Sequence, residues 1–512
     1  MLMHRLLSDV AQRTPDKMAL RWVDRDKSLT YAQAVEQMDR MAGLLHDCGI
    51  RKGDRVGVFA HNGMDYLLAM LGAWRIGAIA ALVNVKFADD LEYYWADHEP
   101  SVVIYTHDLH DVVLRAQRAV PSVKTLICMD GPQPGALSLP ELMNAGFAPP
   151  PDPCDESAIA HLSYTSGTTG KPKGACLAHE PTVRATRCIA ERLQIRAHDI
   201  SFGPTALSSS YQLVGNLLPP LSAGASIHVM GKWTQATGWD AIEAAAATVL
   251  IGNPTLLDEV LRESEKRGRS PGKLRMALTG GGPLPPTLKA AWRDKLALPI
   301  VEGYGQSELG GFVALGYPEL VPEGADLVRI GPPLPDKEVR IFSADDKPVP
   351  TGEIGDIALT GGFMKGYWGK PEKTAEATRD GWLRTGDLGV IDADGYITLR
   401  SRRAELITVD GIAWYPRDVE EALCEQAGVR QAALIGLPNG GSGQLPTAFV
   451  TLIDGAATDS ESLKAAIASK VSYDLAPLAI RIVEELPMTP TGKISKADLQ
   501  ALVAAGAMAC TS

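Results

Sequence analysis

The sequence predicts an α/β fold in two parts: a large N-terminal α/β domain of several subdomains that includes a β-rich module, and a small C-terminal unit of helices and strands. Three observations lead there. The 512 residues are too many for one ordinary core, so two or more units must each bury their own apolar surface. Apolar strand-like runs alternate with helical periodicity as far as about residue 280. From 330 to 399 that texture gives way to short strands separated by turn signals (SADDKPVPTGE, DADG), which sets a boundary near residue 400.

In chain order, the polar spacing of the first twenty residues suits an amphipathic helix, and 31–45 suits another. A strand is expected at 55–60, a helix near 66–74, and strands at 78–83 and 102–105. The stretch 66–85 is the one that a hydropathy window flags, but Arg75, Gly72 and Gly77 interrupt it, so a buried helix running into a strand is expected rather than a membrane span. Further strands are expected at 225–230, 246–252 and 274–279, each bounded by Gly, Pro or a helix. Beyond residue 400, helices are expected around 417–426 and 460–470.

The net charge of −11, with no basic block, argues against a nucleic-acid partner, and any phosphate site must be local. Seven scattered cysteines (Cys48, Cys128, Cys154, Cys176, Cys188, Cys424 and Cys510), without a C-x-x-C pair, fit reduced thiols and a cytoplasmic location. The N-terminus has no apolar segment of signal-peptide length.

The strongest chemical signal is YTSGTTGKPKG at 164–174. Gly167, Gly170 and Gly174 let backbone N–H groups approach phosphate oxygens, Thr165, Ser166, Thr168 and Thr169 add hydroxyl donors, and Lys171 and Lys173 supply neutralising charge. It is not a Walker A loop, because only two residues separate Gly167 from Gly170 and Pro172 follows Lys171.

This loop resembles the signature of the AMP-forming, or ANL, superfamily of adenylating enzymes, most nearly its acyl-CoA synthetases and aryl-CoA ligases, and further motifs follow in the family's order. The resemblance implies an adenylation domain at 1–400, a hinge at 401–405 and a mobile C-terminal lid at 406–512 that swings between two half-reactions. GGGPL at 280–284 and EGYGQSE at 302–308 resemble the elements around the nucleotide: Gly281, Gly282, Glu302, Gly303 and Gly305 would line it, Tyr304 would stack on the base, Ser307 would bond phosphate, and Glu308 would hold Mg²⁺. In WLRTGDLG, Asp387 would accept both ribose hydroxyls, and Arg402 falls on the ribose-contacting arginine. In PMTPTGKISK at 487–496, Lys493 falls on the catalytic lysine, which with Thr165 and Glu308 would serve the first step.

Around the hinge, Gly411, Pro416 and Glu420 fit the family pattern; Ser401, Ala404, Asp410, Ile412 and Ala413 depart from it. Gly411 would lie on the coenzyme A path, which Asp410 could alter. For the acid, the resemblance places within 204–215 the aspartate that amino-acid-activating members of the family use, and this stretch holds no carboxylate, which disfavours an amino-acid substrate; Ser210, Tyr211 and Gln212, with Gly303 opposite, would leave room for an aryl or medium-length acyl group.

The expected reaction therefore uses ATP, Mg²⁺, a small carboxylic acid and coenzyme A, with a homodimer left open. Two alternatives remain open: an acyl-AMP ligase loading a separate carrier protein, and a nucleotide-binding homologue without catalysis.

Overall fold

A computed structural model describes residues 1–153, 155–165, 171–438, 443–453, 455–489 and 493–506. Two large sheets carry the N-terminal part. In the first, strands run in the order Leu137–Ser138, Thr125–Cys128, Val102–Tyr105, Arg55–Phe59, Ile79–Leu82, Ile159–Tyr164 and Gly174–Ala178. All neighbours pair in parallel except the last two, which form an antiparallel pair flanking the phosphate loop. The second, eight-stranded sheet is parallel through Met276–Gly280, Val249–Ile251, Ile200–Phe202 and Ser226–Val229, and ends at Ile300–Gln306 paired antiparallel with Gly311–Leu315.

The expected helix at 31–45 is Tyr31–Asp47, begun by a reciprocal capping box between Thr30 and Gln33. The flagged stretch is the helix Met64–Arg75 followed by the strand Ile79–Leu82, nearly all of it buried. Gly72 explains itself: a Cβ there would meet Met41 Cγ at 2.6 Å, so glycine lets this helix cross closely over Tyr31–Asp47. No helix among the described residues is long and apolar enough to cross a membrane. The strand expected at 246–252 is shorter, Val249–Ile251, because Ala246 takes a left-handed conformation (φ 51°) as the C-cap of the helix Gln235–Ala245. The N-terminal helix is only Arg5–Ala11; Met18–Trp22 joins the second sheet as a strand.

The β-rich module is a five-stranded antiparallel sheet of Lys337–Phe342, Gly355–Gly361, Thr378–Arg379, Trp382–Ile391 and Ile397–Arg402. After it come a hairpin, Ile407–Val409 with Ile412–Trp414, and a three-stranded sheet backed by the helices Pro416–Cys424 and Ser460–Ile467. The hairpin turns on Asp410 (φ 49°) and Gly411 (φ 80°), so Asp-Gly supplies the two positive φ angles of a type I′ turn. Asp410 is thereby explained as a turn residue.

The C-terminal unit docks through Pro416–Cys424. Arg400 bonds Asp418 at 3.0 Å, and Arg417, with 12% of its side chain exposed, pairs with Glu421 and lies 3.7 Å from Glu302, whose carboxylate is also 3.7 Å from Lys289. Lys496 ties Glu405 (2.9 Å) to Glu420 (2.7 Å). Removing one member of a buried ion network leaves charge uncompensated, so Arg417→Met should release the C-terminal unit without unfolding the large sheets. Protease cleavage within 403–406 should rise while the main thermal transition stays in place; unchanged cleavage would show that Arg417 does not hold the two units together.

Candidate active site

The cleft is assembled from three strands of two sheets and one C-terminal loop. The strand Ile300–Gln306 brings Tyr304 and Gln306, Trp382–Ile391 brings Asp387, and Ile397–Arg402 brings Arg402 opposite Asp387 in register. Asp387 is 6% exposed, and Tyr304 (2.7 Å) and Gln306 (2.6 Å) both donate to its Oδ2, while Arg402 Nε is 3.3 Å from its Oδ1. Burial raises the Asp387 carboxyl pKa, and the Arg402 guanidinium is the largest opposing influence. Burial and then the Asp387 charge push the Tyr304 phenol well up, so it stays a donor. With Oδ2 taken by two donors, Oδ1 is the oxygen left to meet a diol alongside Arg402.

Lys493 comes from the C-terminal loop, held by Thr489 N–H donating to the Lys493 carbonyl (2.6 Å) and Ser495 N–H to the Pro487 carbonyl (2.7 Å). A Cβ placed on Gly281 would lie 3.9 Å from Lys493 Nζ, so the ammonium sits over the glycine turn at 280–282. Gly281 has φ +78°, and around Gly282 the space is open. Lys493 keeps exposed surface yet points into a cleft walled by protein. Desolvation by those walls, then the Arg402 charge, lower its pKa, with Asp387 opposing.

Of the phosphate loop, Ser166, Gly167, Thr168, Thr169 and Gly170 lie outside the described residues. Its base is closed by Thr165 N–H to the Lys173 carbonyl (3.0 Å). Lys171 stands 5.1 Å from the Tyr93 ring centroid, and the Tyr93 hydroxyl donates to the Pro172 carbonyl at 2.6 Å. Tyr164, just before the loop, donates to Asp97 (2.8 Å), and Asp97 also pairs with Lys370. Ser307 Oγ is 3.4 Å from Ser210 Oγ. Glu308 accepts from the Tyr367 hydroxyl at 2.7 Å through Oε1.

Among the described residues no group of three or more His, Cys, Asp or Glu could cage a metal. A carboxylate such as that of Glu308, whose Oε2 has no hydrogen-bond partner among the described residues, fits Mg²⁺, which usually takes one or two carboxylates and fills its remaining positions with water and substrate phosphates.

Three expected roles need correction. Glu302 does not offer a free carboxylate to a nucleotide: it is 4% exposed, and its oxygens face Lys289 and Arg417. Gln212 is completely buried and bonded to Thr205, so its side chain supports its own helical segment and is not open to a substrate. Gly303 leaves room for a neighbour and not for substrate, since a Cβ there would strike Phe312 Cε1 at 2.5 Å. The half-buried Tyr211 ring lies edge to face with Phe312 (6.1 Å between centroids) and packs beside Gly280. Its hydroxyl is pinned by the carbonyls of Leu278 (2.7 Å) and Gly252 (3.1 Å). Phe312, Gln306, Tyr367 and Arg417 were not singled out from the sequence. Gln306 alone had a signal there, its place inside EGYGQSE.

Two domains, a glycine-rich phosphate loop and a terminal lysine brought to a carboxylate-and-tyrosine cleft define a nucleotide-dependent adenylating architecture. The chain belongs to the AMP-binding enzyme family, which matches residues 7–368, and the AMP-binding enzyme C-terminal domain matches 418–493. A feruloyl-CoA synthase from Amycolatopsis sp is 30% identical over 476 residues, covering 92% of this chain and 94% of that protein. ATP-bound MatB from Rhodopseudomonas palustris superposes with a TM-score of 0.87 at 26% identity, covering 99% of this chain and all of the other. An anthranilate CoA ligase, AuaEII, in complex with anthranoyl-AMP shares the fold with a TM-score of 0.91 at 24% identity, covering 99% and 98% of the two chains.

If protonated Lys493 is required, kcat/KM for ATP should fall on the alkaline side with an apparent pKa below the ordinary lysine value of 10.5. Arg402→Gln should move that limb to higher pH and Asp387→Asn to lower pH; a limb indifferent to both would remove Lys493 as its source.

Proposed function

We propose that this protein is an AMP-forming acid–thiol ligase. The carboxylate of a small acid attacks the α-phosphorus of ATP, the bond to pyrophosphate breaks, and an acyl-adenylate forms. The thiolate of coenzyme A then attacks the acyl carbon and AMP departs, the thiol proton going to solvent. The observation that carries this reading is Lys493, delivered by the C-terminal domain over Gly281 and close enough to Arg402 and Asp387 to feel their charge.

Attack of one anion on another is disfavoured by repulsion, and a cation poised between them offsets the charge that builds up. Lys493 would do this for the carboxylate and α-phosphate, and Arg402 with Asp387 would hold the ribose. The phosphate loop, with Thr165, Lys171 and Lys173 at its ends, would receive the β- and γ-phosphates, aided by Ser307. Mg²⁺, held by Glu308, would supply charge neutralisation at the phosphates. Since Lys493 reaches the cleft from the mobile domain, thioester formation would follow a swing that withdraws it and brings the Asp410–Gly411 hairpin, with Gly411, toward the coenzyme A thiol.

The acid would lie against Tyr211 and Phe312, which suits a flat aryl body or a short chain, in keeping with a feruloyl-CoA synthase among the relatives. The Tyr211 hydroxyl is anchored, so the ring is a fixed wall. Tyr211→Ala should therefore raise kcat/KM for long acyl acids relative to benzoate-type acids, by about tenfold or more. An unchanged ratio across chain lengths would show that Tyr211 does not limit the site.

The test of the reaction is thioester formation from ATP, coenzyme A and a panel of aryl, short and long acids, with Lys493→Ala alongside. Wild type should give an acyl-CoA with at least one acid. The variant should lose roughly 10²–10³-fold in that overall rate, yet convert synthetic acyl-adenylate and coenzyme A at the wild-type rate. Pyrophosphate release without any CoA thioester would point to a carrier protein as acceptor, and ATP binding with no release for any acid would favour a non-catalytic homologue.

A further inference from the structure

The segment Met364–Trp368 touches both the exit of the phosphate loop and the carboxylate assigned to Mg²⁺. It runs antiparallel along the strand Gly174–Ala178: Trp368 N–H donates to the Gly174 carbonyl (2.8 Å), Cys176 N–H to the Gly366 carbonyl (2.9 Å), and Lys365 N–H to the Cys176 carbonyl (2.9 Å). One residue earlier, Met364 N–H donates to the Glu308 carbonyl at 2.7 Å. These backbone bonds hold Tyr367 in place, and its own N–H is satisfied by Thr374 Oγ1 at 2.9 Å. The side chain is 8% exposed. Its hydroxyl donates to Glu308 Oε1 at 2.7 Å, and Lys173 Nζ lies 4.4 Å from its ring centroid.

One aromatic ring thus stands between two opposite charges with separate duties. A phenol donating to a carboxylate fixes that carboxylate's rotation, leaving Oε2 for another partner. The same hydrogen bond enriches the ring in electron density, which favours a cation at its face. The ring holds the ammonium nearby without binding it as tightly as a carboxylate would, so Lys173 stays available to a phosphate.

We propose that Tyr367 is a positioning residue for the first step: its hydroxyl orients Glu308 for Mg²⁺, and its ring parks Lys173 apart from Glu308 until Mg-ATP arrives. This rests on the reading of the site as an adenylating centre. Outer partners of metal ligands typically change metal affinity by about 10- to 100-fold when removed, which sets the scale of the test.

The experiment separates hydroxyl from ring. Binding of a non-hydrolysable ATP analogue is measured by calorimetry, with and without Mg²⁺, for wild type, Tyr367→Phe, Tyr367→Leu and Glu308→Gln. Tyr367→Phe keeps the ring and should weaken binding about tenfold with Mg²⁺ but little without it. Tyr367→Leu should weaken binding in both conditions, because Lys173 loses its rest position. Adding Tyr367→Phe to Glu308→Gln should cause no further loss, since the hydroxyl acts through that carboxylate. Equal Mg²⁺ enhancement in Tyr367→Phe and wild type would overturn the proposal, as would full additivity with Glu308→Gln. Should Tyr367→Phe fail to fold, 3-fluorotyrosine at position 367, a stronger donor of the same shape, should alter the Mg²⁺ enhancement, and no change there would overturn it equally. Because the readout is binding, it stands apart from catalysis: a wild type that binds Mg-ATP but forms no adenylate sinks the functional reading and leaves the Tyr367 test valid.

Discussion

The buried carboxylate of Asp387 is the junction on which the site depends. It gathers Tyr304 and Gln306 from the strand next to the edge of the eight-stranded sheet and Arg402 from the strand that leads into the C-terminal unit. A buried carboxylate needs donors, and these come from separate units of the fold, so satisfying it also fixes how those units meet. Arg402 is the last residue of its strand, and the connection into the C-terminal unit begins at once with Arg403, which pairs with Asp356 of the same module. The nucleotide cleft and the domain junction are one construction.

Charge follows the same economy. The chain carries −11 overall, so cations must be concentrated where anions are to be held. Lys493 arrives on a loop from the C-terminal unit, Arg402 on the last strand of the module, and Lys171 and Lys173 at the end of the glycine-rich loop. Arg402 pairs with Asp387, but the three lysines are restrained by something other than a carboxylate of their own: Lys171 and Lys173 rest on tyrosine rings, and Lys493 keeps exposed surface beside the Arg402 cation. Cations held this way remain free to bind phosphate. The ion network of Arg417, Glu302, Lys289 and Glu421 is different in kind, because its charges are spent on one another and on docking the C-terminal unit.

The alternating fold was legible because strands buried on both faces read as apolar runs, and the amphipathic stretches 31–45 and 417–426 kept their periodicity. The strand at Val249–Ile251 came out shorter than its apolar run because a left-handed helix cap, unreadable in an alanine-rich stretch, used the first residues. Of the site, the residues carried by contiguous motifs could be named in advance. Residues that act through pairings distant in sequence could not: Tyr367 meets Glu308 across 59 positions, and Arg417 reaches Glu302 from another unit. Glu302 was misread for the same reason, since a carboxylate in a nucleotide motif looks available until its partners are known. Gly303 and Gln212 were misread because the sequence shows small and polar residues but not that Phe312 and Thr205 already occupy their neighbourhood.

With Lys493 in place, the proposed reaction forms an acyl-adenylate in this cleft before any thiol takes part. Isotope exchange between pyrophosphate and ATP, measured with a productive acid and with coenzyme A left out, tests that most directly. Exchange should depend on the acid, proceed without coenzyme A and fall by roughly 10²–10³-fold in Lys493→Ala. Exchange that appears only when coenzyme A is added would contradict it, because the adenylate would then not exist as a separate first product.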